Sequence, residues 1–418
     1  MHSQGTLGKL LIGDKFANLA IDMNPITNPY APGAGAPPPA LAGRDDLRER
    51  VHVAIERARR GRHAKSVILV GLRGVGKTVL LDRMRLDCEA EGNQTIRVEA
   101  PEGRSLPAIL APRLRSVLLS LSRVAAAKDL ADRGLRALVG FARSLKVTFN
   151  DIEVGLDREP EPGLADNGDL ETDLGVLLEQ AGLAARQAGV AIALFIDELQ
   201  YVEESQLAAL ISALHHCSQR QLPIVMVGAG LPQLRGRAGN AKSYAERLFD
   251  YPDVGPLTRE EDLRQALIEP ALEEGVEYTD GAFRAVLAHT GGYPYFLQEW
   301  GSSAWKVATT SPITEQDVEE ATEQAISELD QSFFMVRFDR LTPAEKSYLR
   351  AMAELGAGPH RSGEIAAKAG RTSASLAPIR NNLIQKGMIW SPSHGDTAFT
   401  VPLFDAFLKR VMPEFEPG

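Results

Sequence analysis

The stretch from 66 to 86, SVILVGLRGVGKTVLLDRMRL, constrains the chain more than any other. Five consecutive apolar or small residues with β-branched Val and Ile read as a strand buried on both faces. They run straight into a glycine-rich loop and then a helix of amphipathic pattern. A strand buried on both faces needs helices on each side, so this unit predicts a mostly parallel sheet in an α/β fold. Within the loop, Gly71, Gly76, Lys77 and Thr78 satisfy the phosphate-loop spacing between a strand and a helix start. Its glycines let backbone N–H groups converge on phosphate oxygens, Lys77 neutralises the outer phosphates, and Thr78 offers a hydroxyl to Mg²⁺. The full cradle expected for ATP is Gly71, Gly74, Val75, Gly76, Lys77, Thr78 and Val79.

A second unit, ALFIDELQYV, ends four apolar residues in Asp197 and Glu198. A buried strand thereby delivers two acids to its carboxyl end, Asp197 to hold Mg²⁺ and Glu198 to orient the attacking water. An adjacent glutamate favours hydrolysis over phosphoryl transfer to an acceptor. GNQTIRVEA, LPIVMVGAG and a short piece near DVGPL supply the remaining strands of a five-stranded sheet, and a helix is expected over 45–60. The segment KVTFNDIEVGLDREPEPGLADNGDLETD is expected as a solvated hairpin and loop.

Four parts follow from the composition shifts: a flexible arm over 1–40, the α/β core over 41–257, an all-α lid over 258–340 and a small C-terminal module over 341–418. Residues 24–40 are rich in Pro, Gly and Ala and predict an extended mobile arm; Met23 is an alternative start, so residues 1–22 receive no functional weight. Thr258 and Glu261 have capping-box spacing for the first lid helix, and Thr342 with Glu345 for the next module. From 341 the pattern is three helices, a strand, a turn, a strand and a closing helix, which predicts an independent winged helix-turn-helix. There, nine Lys and Arg against seven Asp and Glu give +2 on a chain whose formal net charge is −9. Arg380, Asn381, Gln385 and Lys386 are expected to face outward from its third helix, where such side chains can grip duplex DNA. Packing against the rest of the chain is the competing role for this module.

With 44% hydrophobic and 24% charged residues the chain reads as globular rather than disordered. No apolar run approaches the roughly 20 residues of a membrane helix. Cys88 and Cys217 offer neither a disulfide framework nor a zinc ligand set, which suits the cytoplasm.

The phosphate loop, the acidic strand end and further stretches together resemble the AAA+ ATPases, in particular the branch shared by archaeal origin-recognition ATPases and the STAND switches, over roughly 38–410. The resemblance implies that Gly43 and Arg44 in LAGRDDL sit near the adenine. It implies an arginine finger at Arg247 in SYAERLFDYPDVGPL, a position equally suited to a solvated helix arginine, and a proline packed on the base at Pro294 in GGYPYF. Two departures stand out. The lid motif carries no sensor arginine between Gly291 and Trp300, and the fourth strand ends in Gly228, Ala229 and Gly230 where a polar γ-phosphate sensor is usual. The resemblance therefore implies a slow, Mg²⁺-dependent ATPase switch that forms homo-oligomers and engages DNA or a protein. A DNA-binding regulator with incidental hydrolysis and an assembly platform cemented by ATP remain as alternatives.

Overall fold

Five short runs form one parallel sheet: β1 (Ser66–Val70), β2 (Gln94–Glu99), β3 (Ile192–Asp197), β4 (Ile224–Gly230) and β5 (Phe249–Asp250), in the order β2-β3-β4-β1-β5. These come from a computed structural model that describes residues 23–33, 35–100, 105–144 and 159–415. Every residue of β1, β3 and β4 is buried, because helices cover both faces. Alternation sorts the side chains. Val67 and Leu69 face α1 (Asp45–Arg59) and α2 (Lys77–Ala90), while Ile68 and Val70 share a core with α3 (Leu106–Leu121), α4 (Lys128–Ser144), α5 (Leu170–Ala188) and α6 (Glu204–Gln219). The fifth strand lies upstream of the DVGPL stretch, which contributes one bridge, Val70 to Asp253.

After α7 (Leu234–Ala241), α8 (Ala245–Leu248) and β5, four helices form the lid: α9 (Glu260–Glu273), α10 (Asp280–Thr290), α11 (Pro294–Val307) and α12 (Glu315–Glu328). A π-helical turn, Leu329–Phe334, and α13 (Met335–Phe338) follow. The C-terminal part holds α14 (Pro343–Glu354), β6 (His360–Arg361), α15 (Ser362–Lys368), α16 (Ser373–Gln385), β7 (Ile389–Trp390), β8 (Asp396–Phe399) and α17 (Phe404–Val411), with the antiparallel sheet order β6-β8-β7.

The capping box of Thr342 and Glu345 forms, but that of Thr258 and Glu261 does not. Helix α9 starts one residue late, with Arg259 at the cap and its guanidinium forked onto Asp262 at 2.7 and 2.9 Å. The preceding backbone is held by the Leu257 N–H, which donates to the Gly292 carbonyl at 2.9 Å. The arm over 24–40 is also not free along its described length. Tyr30 is buried, donates its hydroxyl to the Leu267 carbonyl at 2.6 Å and meets Trp305 edge to face. One large aromatic residue in a proline-rich segment is enough to anchor it, because Tyr buries a large apolar body and still satisfies its O–H.

The C-terminal part is not an independent module. Phe334 lies 5.7 Å from Phe404 and 5.2 Å from Phe407, and Phe338 lies 5.8 Å from Phe407. One apolar cluster therefore runs from Tyr30 through the lid to Leu408. Much of the expected acidic hairpin, residues 145–158, and the leader 1–22 lie outside the described residues.

Candidate nucleotide site

The loop between β1 and α2 is shaped by its glycines. A Cβ on Gly71 would sit 2.1 Å from the Val254 carbonyl oxygen, so no other residue fits. Gly76 has φ +85° and caps α2 from the left-handed region, leaving the first N–H groups of that helix aimed out of the loop. Lys77 is buried at the helix start, and its ammonium donates to the carbonyls of Gly71 at 2.9 Å and Leu72 at 2.7 Å. Burial pushes it down to about 8, against the pull of Glu198 and Asp197. A desolvated cation at a helix N-terminus is a site for polyphosphate.

Opposite the loop, β3 ends in the two acids. Asp197 is buried and accepts from the Glu198 N–H at 2.9 Å and from Arg97 Nη2 at 3.3 Å. Glu198 has φ +54°, a left-handed turn that costs a non-glycine residue some strain and brings it to the cavity wall. There Gln200 donates to its carboxylate, and Arg73 Nη1 stands 3.9 Å away.

The glycine-rich end of β4 has a packing reason. A Cβ on Gly228 would come within 2.3 Å of Leu199 Cδ1, and one on Gly230 within 2.7 Å of Gln200 Oε1. Gln200 also accepts from the Leu231 N–H at 3.2 Å. The glycines admit the turn that follows Glu198, so Gln200 packs against the strand end that lacks a polar side chain. Sequence reading missed Gln200 and Arg73. Both sit inside quoted motifs at positions that the motif pattern leaves open.

A cavity of about 1050 Å³ joins these parts. Gly74, Val75, Gly76, Lys77, Thr78, Val79, Arg44, Glu198 and Pro294 all line it, whereas Gly71, Asp197 and Gly43 are not among its lining residues. Gly43 packs on Asp262 instead, where an added Cβ would lie 2.7 Å from a carboxylate oxygen. Arg44 is a brace: its buried guanidinium donates to the Gly255 carbonyl at 2.6 Å and to Val75 at 3.3 Å. Arg247 is exposed on α8 and does not reach the cavity.

Two expectations for α16 fail because the side chains are already engaged. Arg380 donates to Thr397 Oγ1 at 2.9 Å, and to Ser391 Oγ and the Asp396 carbonyl at 3.0 Å each, so it ties the helix to β8. Lys386 pairs with buried Glu345 at 2.7 Å and donates to the Arg340 carbonyl at 3.0 Å, at the cavity rather than on the outer face. Asn381 and Gln385 are exposed.

The donor set fits a Mg-nucleotide: a glycine cradle that any Cβ at Gly71 would block, a desolvated lysine, and an acid pair at a strand end. Thr78 and Asp197 would hold Mg²⁺, which supplies charge neutralisation along the phosphates.

Residues 40–227 match the family described as AAA ATPase domain. The parallel sheet, its strand order and the loop after its first strand make a P-loop AAA+ fold. Residues 331–408 match a domain of unknown function, DUF8462. Among solved structures the Walker-type ATPase PABY2304 of Pyrococcus abyssi is similar at 16% identity, with 88% of this chain and 96% of that one covered and a TM-score of 0.55. Cdc6p from Pyrobaculum aerophilum is 14% identical over 94% and 99% of the two chains, at a TM-score of 0.46. The Aeropyrum pernix Orc1 protein, solved in complex with DNA, is 17% identical over 89% and 94%, at 0.45. At these identities the likeness concerns the fold alone. No curated protein matches the sequence. The loop, Glu198 and the lid proline come together around one cavity, and no helix among the described residues is long and apolar enough to cross a membrane.

Proposed function

We propose that the protein is an ATP-binding, slowly hydrolysing AAA+ switch of STAND type, acting in the cytoplasm, whose nucleotide state controls self-association and the engagement of a partner. One observation carries the reading: the phosphate loop is hydrogen-bonded to both of the other parts. The Tyr295 N–H at the start of α11 donates to the Gly74 carbonyl at 3.1 Å. The Arg73 N–H donates to the Thr400 carbonyl at 3.1 Å, and Arg73 Nε to Gly387 at 3.4 Å. A ligand that reshapes this loop changes the contacts of the lid and of the C-terminal part together, which is the differential contact a two-state device needs.

Slow turnover fits the same picture. In this reading Lys77 and the loop amides bind the phosphates, and Glu198 takes the proton of the attacking water. The fourth strand offers no polar side chain to the transition state, a loss worth on the order of 10²-fold. A winged-helix reading of the C-terminal part stands beside a packing role, and the engagement of Arg380 and Lys386 favours packing and a protein partner over DNA. Arg247, exposed on α8, is the residue we assign to a neighbouring subunit's site.

Turnover per subunit measured against protein concentration tests this. A dilute sample should run well below the roughly 10 s⁻¹ median of enzymes, and the rate should rise on association, with Arg247→Ala removing the rise while ATP binding persists. Fast turnover in a monomeric sample, unchanged by Arg247→Ala, contradicts the switch.

A further inference from the structure

The cavity has a second cationic wall. Arg337 on α13 lines it together with Arg340, across from Arg73 of the phosphate loop. Arg337 is half-buried, and its guanidinium stacks on the Phe333 ring at 4.0 Å and donates to the Phe333 carbonyl. Phe333 stacks on Tyr295 at 4.6 Å, and Tyr295 is the residue whose N–H holds Gly74. A continuous stack therefore fixes Arg337 relative to the phosphate loop.

Among the described residues no carboxylate forms an ion pair with Arg337 or Arg340. Burial, then Arg73 and more weakly Arg340, bring its guanidinium down to about 10, against the opposing pull of the Tyr295 and Tyr201 hydroxyls. Crowded guanidinium groups in a partly desolvated cleft repel one another unless a multivalent anion lies between them. The position along the cleft identifies which part of that anion they meet. Arg73 stands beside Glu198, the acid at the hydrolytic end, whereas the lid proline Pro294 lies at the start of α11.

We propose that Arg337 is a ligand of the terminal phosphate of ATP, contributed from the joint between the lid and the C-terminal part. It stands in for the sensor arginine that the lid motif from Gly291 to Trp300 lacks. The assignment rests on the nucleotide reading of the cavity given above. It adds that the joint itself reads the difference between triphosphate and diphosphate, because α13 is followed directly by α14 and shares its aromatic core with α17.

Calorimetric titration of the full chain with MgATP and with MgADP decides it. Loss of one forked, charge-assisted contact should weaken ATP roughly ten- to hundred-fold in Arg337→Gln, while ADP affinity stays within about three-fold, which also shows that the variant folds. Arg337→Lys keeps the charge and loses the fork, so it should recover part of the ATP affinity. Equal losses for ATP and ADP, or no loss for either, overturn the assignment. Lys77→Ala run alongside separates the two levels. If it abolishes binding of both nucleotides while Arg337→Gln changes neither, only the Arg337 assignment falls; if Lys77→Ala binds both normally, the nucleotide reading falls with it.

Discussion

The two walls of the central cavity are built in opposite ways. One is a run of consecutive residues, Arg73 to Val79, whose geometry follows from glycine φ angles, a helix start and one buried lysine. The other is assembled from the arm, the lid, the π-helical turn and the C-terminal part, and includes Pro32, Pro294, Arg337 and Lys386. The first wall has the backbone shape that suits a phosphate. The second presents side chains whose place depends on how separate elements pack. Affinity should therefore reside on the loop wall, and the response to nucleotide state on the assembled wall.

The largest effect should come from breaking the loop wall. Lys77→Ala should weaken ATP and ADP alike by about 100-fold or more, since a charge-assisted contact to phosphate is lost in a desolvated site. Titration of both nucleotides measures it, and normal affinity would mean that the cavity serves another ligand. Glu198→Gln should bind ATP as the parent does and lose roughly 10²- to 10⁴-fold in turnover, because only the proton acceptor is removed. Parental turnover in this variant would place the base elsewhere.

A smaller and more telling effect should follow Arg73→Ala, which cuts the link between the walls. It removes the bonds to the Tyr201 hydroxyl at 2.6 Å and to Gly387 at 3.4 Å, while the loop backbone stays. Hydrogen exchange should speed up by roughly ten-fold over residues 386–400, with the strands of the large sheet unaffected. Unaltered exchange there would show that the C-terminal part is held by its aromatic core alone.

The last prediction concerns pH. In the free protein Lys77 titrates near 8 rather than its ordinary 10.5, and bound phosphates raise it again. The bound state then holds more protons than the free state only above about pH 8, so ATP affinity should be level from pH 7 to 8 and fall toward pH 9.5 by up to about ten-fold per unit. The fall should vanish in Lys77→Met. A flat profile in the parent protein would mean that the lysine is fully charged in the free loop.

Most of the loop wall was legible in the sequence. The strand at 66–70 and the acid pair Asp197 and Glu198 occupy the places that spacing assigns, since a buried strand, a glycine turn and a helix start are dictated by neighbours a few residues away. Lys386 was misread for the complementary reason. It has the chemistry of a DNA-facing cation, yet it is spent on Glu345, while Arg44 lines the cavity with its guanidinium tied to the Val75 and Gly255 carbonyls. Hydrogen-bonding residue types announce what they can bind, and only the fold decides what lies within reach.

What the sequence by itself determined is thus the phosphate loop, the acid pair and the alternation that makes a parallel sheet, all matters of local backbone sterics and period-two burial. The tertiary structure alone decided that Tyr30 pins the arm, that Phe334, Phe338 and Phe407 fuse the lid to the C-terminal part, and that Arg337 faces Arg73 across the cavity. The physical reason is that apolar side chains bury against whichever partner closes the core. That choice carries no directional signature in the chain, and every polar group beside such a contact inherits its neighbours from it.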